Sequence, residues 1–202
     1  MNGHSVRSGA KRDRILQAAE RVFASKGFFG AKVSDIAGVA GVADRTIYLY
    51  FKSKDDLLIS LFEAQMERVL AELRAAVGDA GDATEKLRRF CRAYLGLVES
   101  NRHAAEVITI ELRQSAKFMK EYRNPKFAEF LKTLAAVIAE GQAQGRLRAE
   151  VPAPIAARAL FGALDELALM WVTSRERFDI RKVADWLGDV VLQGLEMQRR
   201  TA

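Results

Sequence analysis

Apolar residues recur along almost the whole chain at the spacing of one helix face, and they do not alternate as they would in a strand. Ile15, Ala18, Ala19, Val22 and Phe23 stand at i, i+3, i+4, i+7 and i+8, which is one stripe of an amphipathic helix. Leu57, Leu58, Leu61, Phe62, Met66, Val69, Leu70 and Leu73 repeat the pattern over a longer span. It returns at Leu87, Phe90, Cys91, Tyr94, Leu95 and Val98, at Phe127, Phe130, Leu131, Leu134 and Ile138, and at Val183, Trp186, Leu187, Val190, Val191, Gly194 and Leu195. A period near 3.6 cannot be laid into a sheet whose faces alternate every second residue. The chain is therefore predicted to be all-α, without repeats or low-complexity tracts.

The punctuation between these stripes sets the element order. Gly27 ends the first helix. A short helix follows with Val33, Ile36, Ala37 and Ala40 inward, and Gly41 then supplies a tight turn. A second short helix is expected from about Asp44 to Tyr50. Ser53 followed by Asp56 resembles a capping box opening the long helix, which breaks at Gly78 to Asp82. A helix or kinked pair covers about 103–123. Pro125 suits a first helical turn, Pro152 and Pro154 introduce the next helix, and Asp179 caps the last.

Composition matters most where it is uneven. Residues 1–54 hold ten Lys/Arg against four Asp/Glu, a net +6, whereas residues 55–202 hold 22 of each. The whole net charge of the chain sits in its first quarter, as expected for a small basic module joined to a neutral body. The most apolar stretch, 153–172, carries Arg158, Asp165 and Glu166, so it reads as a buried helix and not as a membrane span. The first ten residues lack the apolar core of a signal peptide. The lone Cys91 lies on an apolar stripe, which suits a core residue in a reducing cytoplasm. Only two histidines occur, His4 and His103, with no GxSxG, no phosphate-binding glycine loop and no closely spaced metal ligands. An enzyme is not expected: no catalytic residue, metal site or cofactor is assigned.

Two short helices joined by a glycine turn, preceded by an amphipathic helix and carrying the basic charge, are a helix-turn-helix. The second short helix would lie in a DNA major groove. Arg45 and Thr46 would reach base edges or phosphates, Tyr48 and Tyr50 would present hydroxyls on rigid rings, and Lys52 and Lys54 would supply flanking charge. One of the two tyrosines is also expected to pack the thin core of Ile47 and Phe51. The helix start at Val33 and Ser34 would donate backbone N–H groups to phosphate.

The stretch VSDIAGVAGVADRTIYLYFKSKDDLL closely resembles the DNA-binding signature of the TetR family of transcriptional regulators. The resemblance covers about the first third of the chain. It implies a homodimer of all-helical subunits, with a helix-turn-helix domain over 1–54 and a ligand-binding and dimerisation domain over 55–202. It places DNA contacts on Val33, Ser34, Arg45, Thr46, Tyr48, Tyr50 and Lys54. Lys32 departs from the pattern, standing where the family often has a helix-capping Thr or Ser, and Arg45 stands where it often has glycine.

GVADRTIYLYFKSKDDLLISLFEAQM at 41–66, ELRQS at 111–115 and FGALDELALMWV at 161–172 together resemble the TetR-type repressors of fatty-acid degradation, which implies a long-chain acyl-CoA as inducer. Such a ligand needs an apolar channel and a basic mouth. From Arg113 to Lys126 five cations face one acid. Arg113, Lys117 and Lys120 share a helical face by their i, i+4, i+7 spacing. Arg123 follows, Phe118 and Tyr122 interleave, and Trp171 could line the channel. The alternative is a repressor of an efflux system answering lipophilic compounds, with Asp165 and Glu166 inside an aromatic pocket. The expected partners are double-stranded operator DNA, long-chain acyl-CoA and a second copy docked through the last two helices, with no membrane.

Overall fold

A computed structural model describes residues 3–78, 81–176 and 178–195, with side chains from residue 9 onward. The helices, in order, are α1 (Gly3–Gly30), α2 (Val33–Ala40), α3 (Asp44–Ile47), α4 (Lys54–Gly78), α5 (Ala83–Ser100) and α6 (Arg102–Thr109). A 3-10 helix (Glu111–Gln114) follows, then α7 (Ala116–Lys120), α8 (Pro125–Ala143), α9 (Ala153–Thr173) and α10 (Ile180–Leu195). The protein is 82% helical, and no β-strand occurs among the described residues.

Packing divides the chain into two compact units, one of Met1–Gln65 with Arg102–Arg123 and the other of Met66–Asn101 with Asn124–Ala202. The charge pattern breaks at residue 54, whereas packing breaks inside α4 and takes in a second, distant segment. In the first unit α1 lies on α2, α6 and the 3-10 helix, and α2 lies on α3. Its core is Ile15, Ala19, Phe23, Ile36, Ile47, Phe51, Leu57 and Leu58, all fully buried.

Gly27 does end the regular run of α1, through a left-handed backbone (φ 70°, ψ 163°) after which one more turn forms. Gly41, at φ 62°, closes α2 with its N–H on the Gly38 carbonyl. The second short helix is regular only over Asp44–Ile47, and its chain continues to Phe51 as turns bonded to the Thr46 and Ile47 carbonyls.

In the second unit α5 packs on α10, α8 and α9, and α8 packs on α9. The buried stripe of α5 is the expected Leu87, Phe90, Cys91, Leu95 and Val98. Asp82 caps it, accepting from the Glu85 N–H at 2.9 Å and from Thr84 Oγ1 at 2.6 Å. Asn124 caps α8 ahead of Pro125, accepting from the Phe127 N–H at 3.0 Å, and Asp179 caps α10 through the Arg181 and Lys182 N–H groups. Along α10 the buried positions are Ile180, Ala184, Gly188 and Leu192, while Trp186 and Val190 are exposed. Small residues therefore set the close approach to α5, where a Cβ on Gly188 would lie 3.6 Å from Arg88 Cγ. Arg88–Asp189, Arg92–Asp185 and Arg181–Glu99 pair the two helices along their length.

Among the described residues no helix is long and apolar enough to cross a membrane, and no group of three or more His, Cys, Asp or Glu side chains could hold a metal ion.

Candidate nucleic-acid interface and ligand site

The helix-turn-helix sorts its side chains by burial. Ile36, Ala37, Ala40, Ile47 and Phe51 go inward. Ser34, Arg45, Tyr48 and Lys52 are exposed, and Val33, Thr46 and Tyr50 are half-buried. Of the two tyrosines, Tyr50 packs its ring 6.4 Å from that of Phe51, and Tyr48 stands free of the core. Leu49, which the reading of the sequence passed over, is the most exposed large apolar side chain of the protein among those described, at 80%. Its signal was available, since an apolar residue off the buried spacing of a recognition helix has no core to join.

The start of α2 lacks a side-chain cap at Lys32, as its residue type requires. Asp35 compensates by accepting from the Lys32 N–H at 3.0 Å and pairing with Lys26 at 2.9 Å. The hydrogen bond from Lys26, followed by that from the Lys32 amide, holds the Asp35 carboxyl below its ordinary value. Ser53 caps the next helix by accepting from the Asp56 N–H at 3.1 Å, and the Asp56 carboxylate accepts in turn from the Lys52 N–H, one residue early, at 2.8 Å.

Lys54, expected as a flanking cation, has partners within the protein. Its ammonium donates to the carbonyls of Phe28 at 2.7 Å and Ala31 at 3.1 Å, with Phe29 at 3.4 Å, and sits 4.6 Å from the centre of the Phe28 ring. It closes the carbonyl end of the last turn of α1.

The candidate ligand residues are distributed differently from the expectation of one continuous face. Arg113 belongs to the 3-10 helix, Lys117 and Lys120 to α7, and between them Ser115 is extended (φ −77°, ψ 112°). The i, i+4, i+7 alignment therefore fails, because Ser115 ends one helix and caps the next, accepting from the Phe118 N–H at 3.1 Å. Arg113, Lys117, Lys120 and Arg123 are nonetheless all exposed. Phe118 and Tyr122 form a ring cluster with Phe62, at centroid distances of 5.2 Å for Phe62–Phe118 and 5.5 Å for Phe118–Tyr122. The Tyr122 hydroxyl donates to Glu63 at 2.5 Å. Burial first, and then that bond, raise the phenol above its usual range. Lys126, the fifth cation of the run, is paired with Glu67 at 3.2 Å.

In the second unit Phe127 and Phe161 meet edge to face at 4.7 Å, and Phe130 joins both them and Phe90 and Tyr94. Tyr94, Phe127, Phe161 and Trp171 are half-buried. A cleft of about 550 Å³ lies beside α8, and its charged walls are paired as Arg74–Glu129 and Lys86–Glu140. It is too polar to be the apolar channel. Glu166 is exposed, on the same outer side of α9 as Ile155, Gly162 and Met170. The lipophilic-compound reading thus lacks an inward pair of carboxylates.

A basic helix-turn-helix carrying polar and aromatic side chains that its own core cannot cover, in an all-helical chain, defines a DNA-binding regulator. Residues 15–61 match the bacterial regulatory proteins of the tetR family, and residues 62–194 match the YsiA-like protein C-terminal region. The chain belongs to the tetR family and is a transcriptional regulator, not an enzyme. It is 31% identical over 182 residues to a fatty acid metabolism regulator protein of Bacillus subtilis (strain 168), an alignment spanning 90% of this chain and 94% of that one. Among solved structures it is similar to the fatty acid degradation regulator FadR from Bacillus halodurans, with a TM-score of 0.86, 35% identity and coverage of 91% and 95%. It is also similar to the transcriptional regulator FadR from Bacillus subtilis in complex with stearoyl-CoA, with a TM-score of 0.84, 31% identity and coverage of 90% and 97%.

Proposed function

We propose that the protein is a homodimeric repressor of fatty-acid degradation genes, bound to a near-palindromic operator in the cytoplasm and released by long-chain acyl-CoA. The observation that carries this reading is the segment 113–123, which sets four exposed cations beside a ring cluster. It lies in a chain similar over nine-tenths of its length to a regulator solved with stearoyl-CoA. Phosphates of the ligand would meet some of Arg113, Lys117, Lys120 and Arg123. The tail would lie against apolar side chains such as Phe118 and Tyr122.

Residues 1–54 form the DNA-binding domain in this reading, and residues 55–202 bind ligand and dimerise. Val33 and Ser34 offer backbone N–H groups to phosphate, and Arg45, Thr46, Tyr48 and Tyr50 face the groove. Lys52 supplies charge, and Lys54 acts through the turn it holds. Dimerisation is supported by the outer sides of α9 and α10, where Ile155, Met170, Trp186 and Val190 are exposed. A two-fold pairing of this surface would set two recognition helices on half-sites about 34–36 Å apart or a multiple of it.

The test is an operator gel shift against stearoyl-CoA and stearate. Release by the thioester at a concentration where the free acid has no effect is expected, and equal release by both would refute the basic mouth. Neutralising Arg113 and Lys117 together to Gln should raise the acyl-CoA needed for release and leave ligand-free DNA affinity intact.

A further inference from the structure

Two side chains of the segment Glu111–Ser115 bond to α1 and α4, the helices on either side of the helix-turn-helix. Glu111 is a carboxylate only 7% exposed. Its Oε2 accepts the N–H of Phe28, 83 residues earlier in the chain, and the side-chain amide of Gln114 at 3.2 Å. That N–H sits at the break of α1: Gly27 has φ 70°, and a Cβ there would lie 3.4 Å from the same carboxylate oxygen.

Beyond the break the chain starts a new turn, whose first N–H is of the kind that a helix start leaves to an outside partner. Glu111 satisfies it. At the other end of the turn the carbonyls of Phe28 and Ala31 are held by Lys54. The turn thus lies between a carboxylate at its N–H end and an ammonium at its carbonyl end, the order that peptide dipoles favour. Four residues after Glu111, the Ser115 hydroxyl donates to Asp55 Oδ1 at 2.6 Å, in the first turn of α4. Five consecutive residues therefore hold both the end of α1 and the start of α4, the two helices that flank the helix-turn-helix.

We propose that Glu111 is a positioning residue for DNA recognition, with Ser115 as its second anchor. The carboxylate fixes the turn after Gly27, and that turn runs through Ala31 and Lys32 directly into α2. Glu111 touches no DNA; it sets where Ser34 and the recognition helix stand. The same short segment carries Arg113, Lys117, Phe118, Lys120 and Tyr122. A ligand drawing on those side chains would therefore pull on this anchor. That coupling rests on the acyl-CoA reading above, whereas the positioning role does not.

The experiment measures operator affinity, stearoyl-CoA affinity and amide exchange at Phe28 in the full chain, using an operator selected by the wild type from random DNA. Glu111→Leu keeps bulk and removes the acceptor. It should weaken ligand-free operator binding about tenfold, the effect of leaving a buried donor unpaired. Exchange at Phe28 should rise while exchange in α5 and α10 is unchanged. Glu111→Gln keeps an acceptor oxygen and should lose about threefold or less.

Linkage supplies the readout that a merely structural role would not move. A shift away from the DNA-competent state must tighten stearoyl-CoA binding as it weakens DNA binding. A folded Glu111→Leu with wild-type operator affinity overturns the proposal. So does one that loses DNA without binding stearoyl-CoA more tightly, provided that stearoyl-CoA releases the wild type. If stearoyl-CoA does not release the wild type, the acyl-CoA reading fails by itself, and ligand-free affinity with Phe28 exchange decides the role of Glu111. If Glu111→Leu does not fold, Ser115→Ala decides: about threefold or greater loss of operator affinity is expected, and unchanged affinity overturns the proposal.

Discussion

Replacing Lys54 by Met separates two roles that a lysine at the end of a helix-turn-helix can have. The substitution keeps the length of the aliphatic stem and deletes the ammonium. In the structure that ammonium makes two good charge-assisted hydrogen bonds, to the carbonyls of Phe28 and Ala31, and a contact with the Phe28 ring. Because solvent screens a half-exposed group, we take about 1 kcal/mol each, below the range for charged bonds, and add about 0.5 kcal/mol for the cation–π contact. The loss is then about 2–3 kcal/mol, a fall of about 5–10 °C in Tm for a chain of this size. A lysine spent on DNA would behave otherwise. Each phosphate contact removed makes the slope of log K against log salt shallower by about 0.9, with little change in stability. The assay is paired: thermal unfolding of the free protein, and operator affinity from 50 to 300 mM salt. Lys54→Met should lower Tm and leave the salt slope as it was. A slope shallower by about one, with Tm unchanged, would refute the structural assignment. Lys52→Ala is the control: exposed, it should alter the slope and spare Tm.

Gly162 meets nothing within 4 Å of an added Cβ in the single protomer, so Gly162→Arg should leave helicity intact while giving monomers that lose the operator; a dimer by sedimentation that still binds DNA would contradict the proposed interface. Gly27→Ala should be destabilising, because it places a Cβ at φ 70° and against the Glu111 carboxylate, and unchanged Tm would count against the break described for α1. Burial pushes the Cys91 thiol up to about 12, so alkylation by iodoacetamide at pH 8 should occur only in denaturant. Because Asp35 is held below its ordinary value of 3.8, its contribution is fully present above that pH and is lost as the pH falls through the lower folded value. The stability gap between the wild type and Asp35→Asn should accordingly close in acid, and a gap that widened there would refute the Lys26 pairing.

The helices and their stops were legible because they depend on residues close in sequence. Gly27, Gly41, Ser53, Pro125 and Asp179 act within one turn of themselves, and the stripes of α1, α4, α5 and α8 report burial directly. At the candidate site, what was legible is which side chains project outward, as at Ser34, Arg45 and Tyr48. Lys54 reads from sequence as a flanking cation. Its partners are carbonyls more than twenty residues away, and backbone carbonyls carry no residue code. Ser115 ends one helix and begins another, a switch that helical spacing across Arg113, Lys117 and Lys120 cannot register. In α10 the large residues form one stripe, whereas Ala184 and Gly188 mark the face that approaches α5, since close packing of two backbones selects for lack of side chain. The role of Glu111 was outside any local rule, because its partner is a single amide at a break in α1.

The first compact unit is assembled from two stretches of chain, residues 1–65 and 102–123, with α5 encoded between them. The DNA-reading head therefore cannot be lifted out as an uninterrupted cassette. A chimaera that joins the first 54 or 65 residues to the body of another regulator would inherit the break at Gly27 without the carboxylate that meets it, and the longer of the two would also carry Asp55 without the hydroxyl of Ser115. Grafts that also carry 102–123 should keep operator specificity, and grafts cut at the apparent boundary should lose affinity even though every base-facing side chain is retained. If Glu111 positions the turn as proposed, exchange of operator preference through recombination is constrained in the same way: two crossovers flanking the helix-turn-helix should be too few without a second, non-adjacent exchange or a glutamate already suited to the incoming turn.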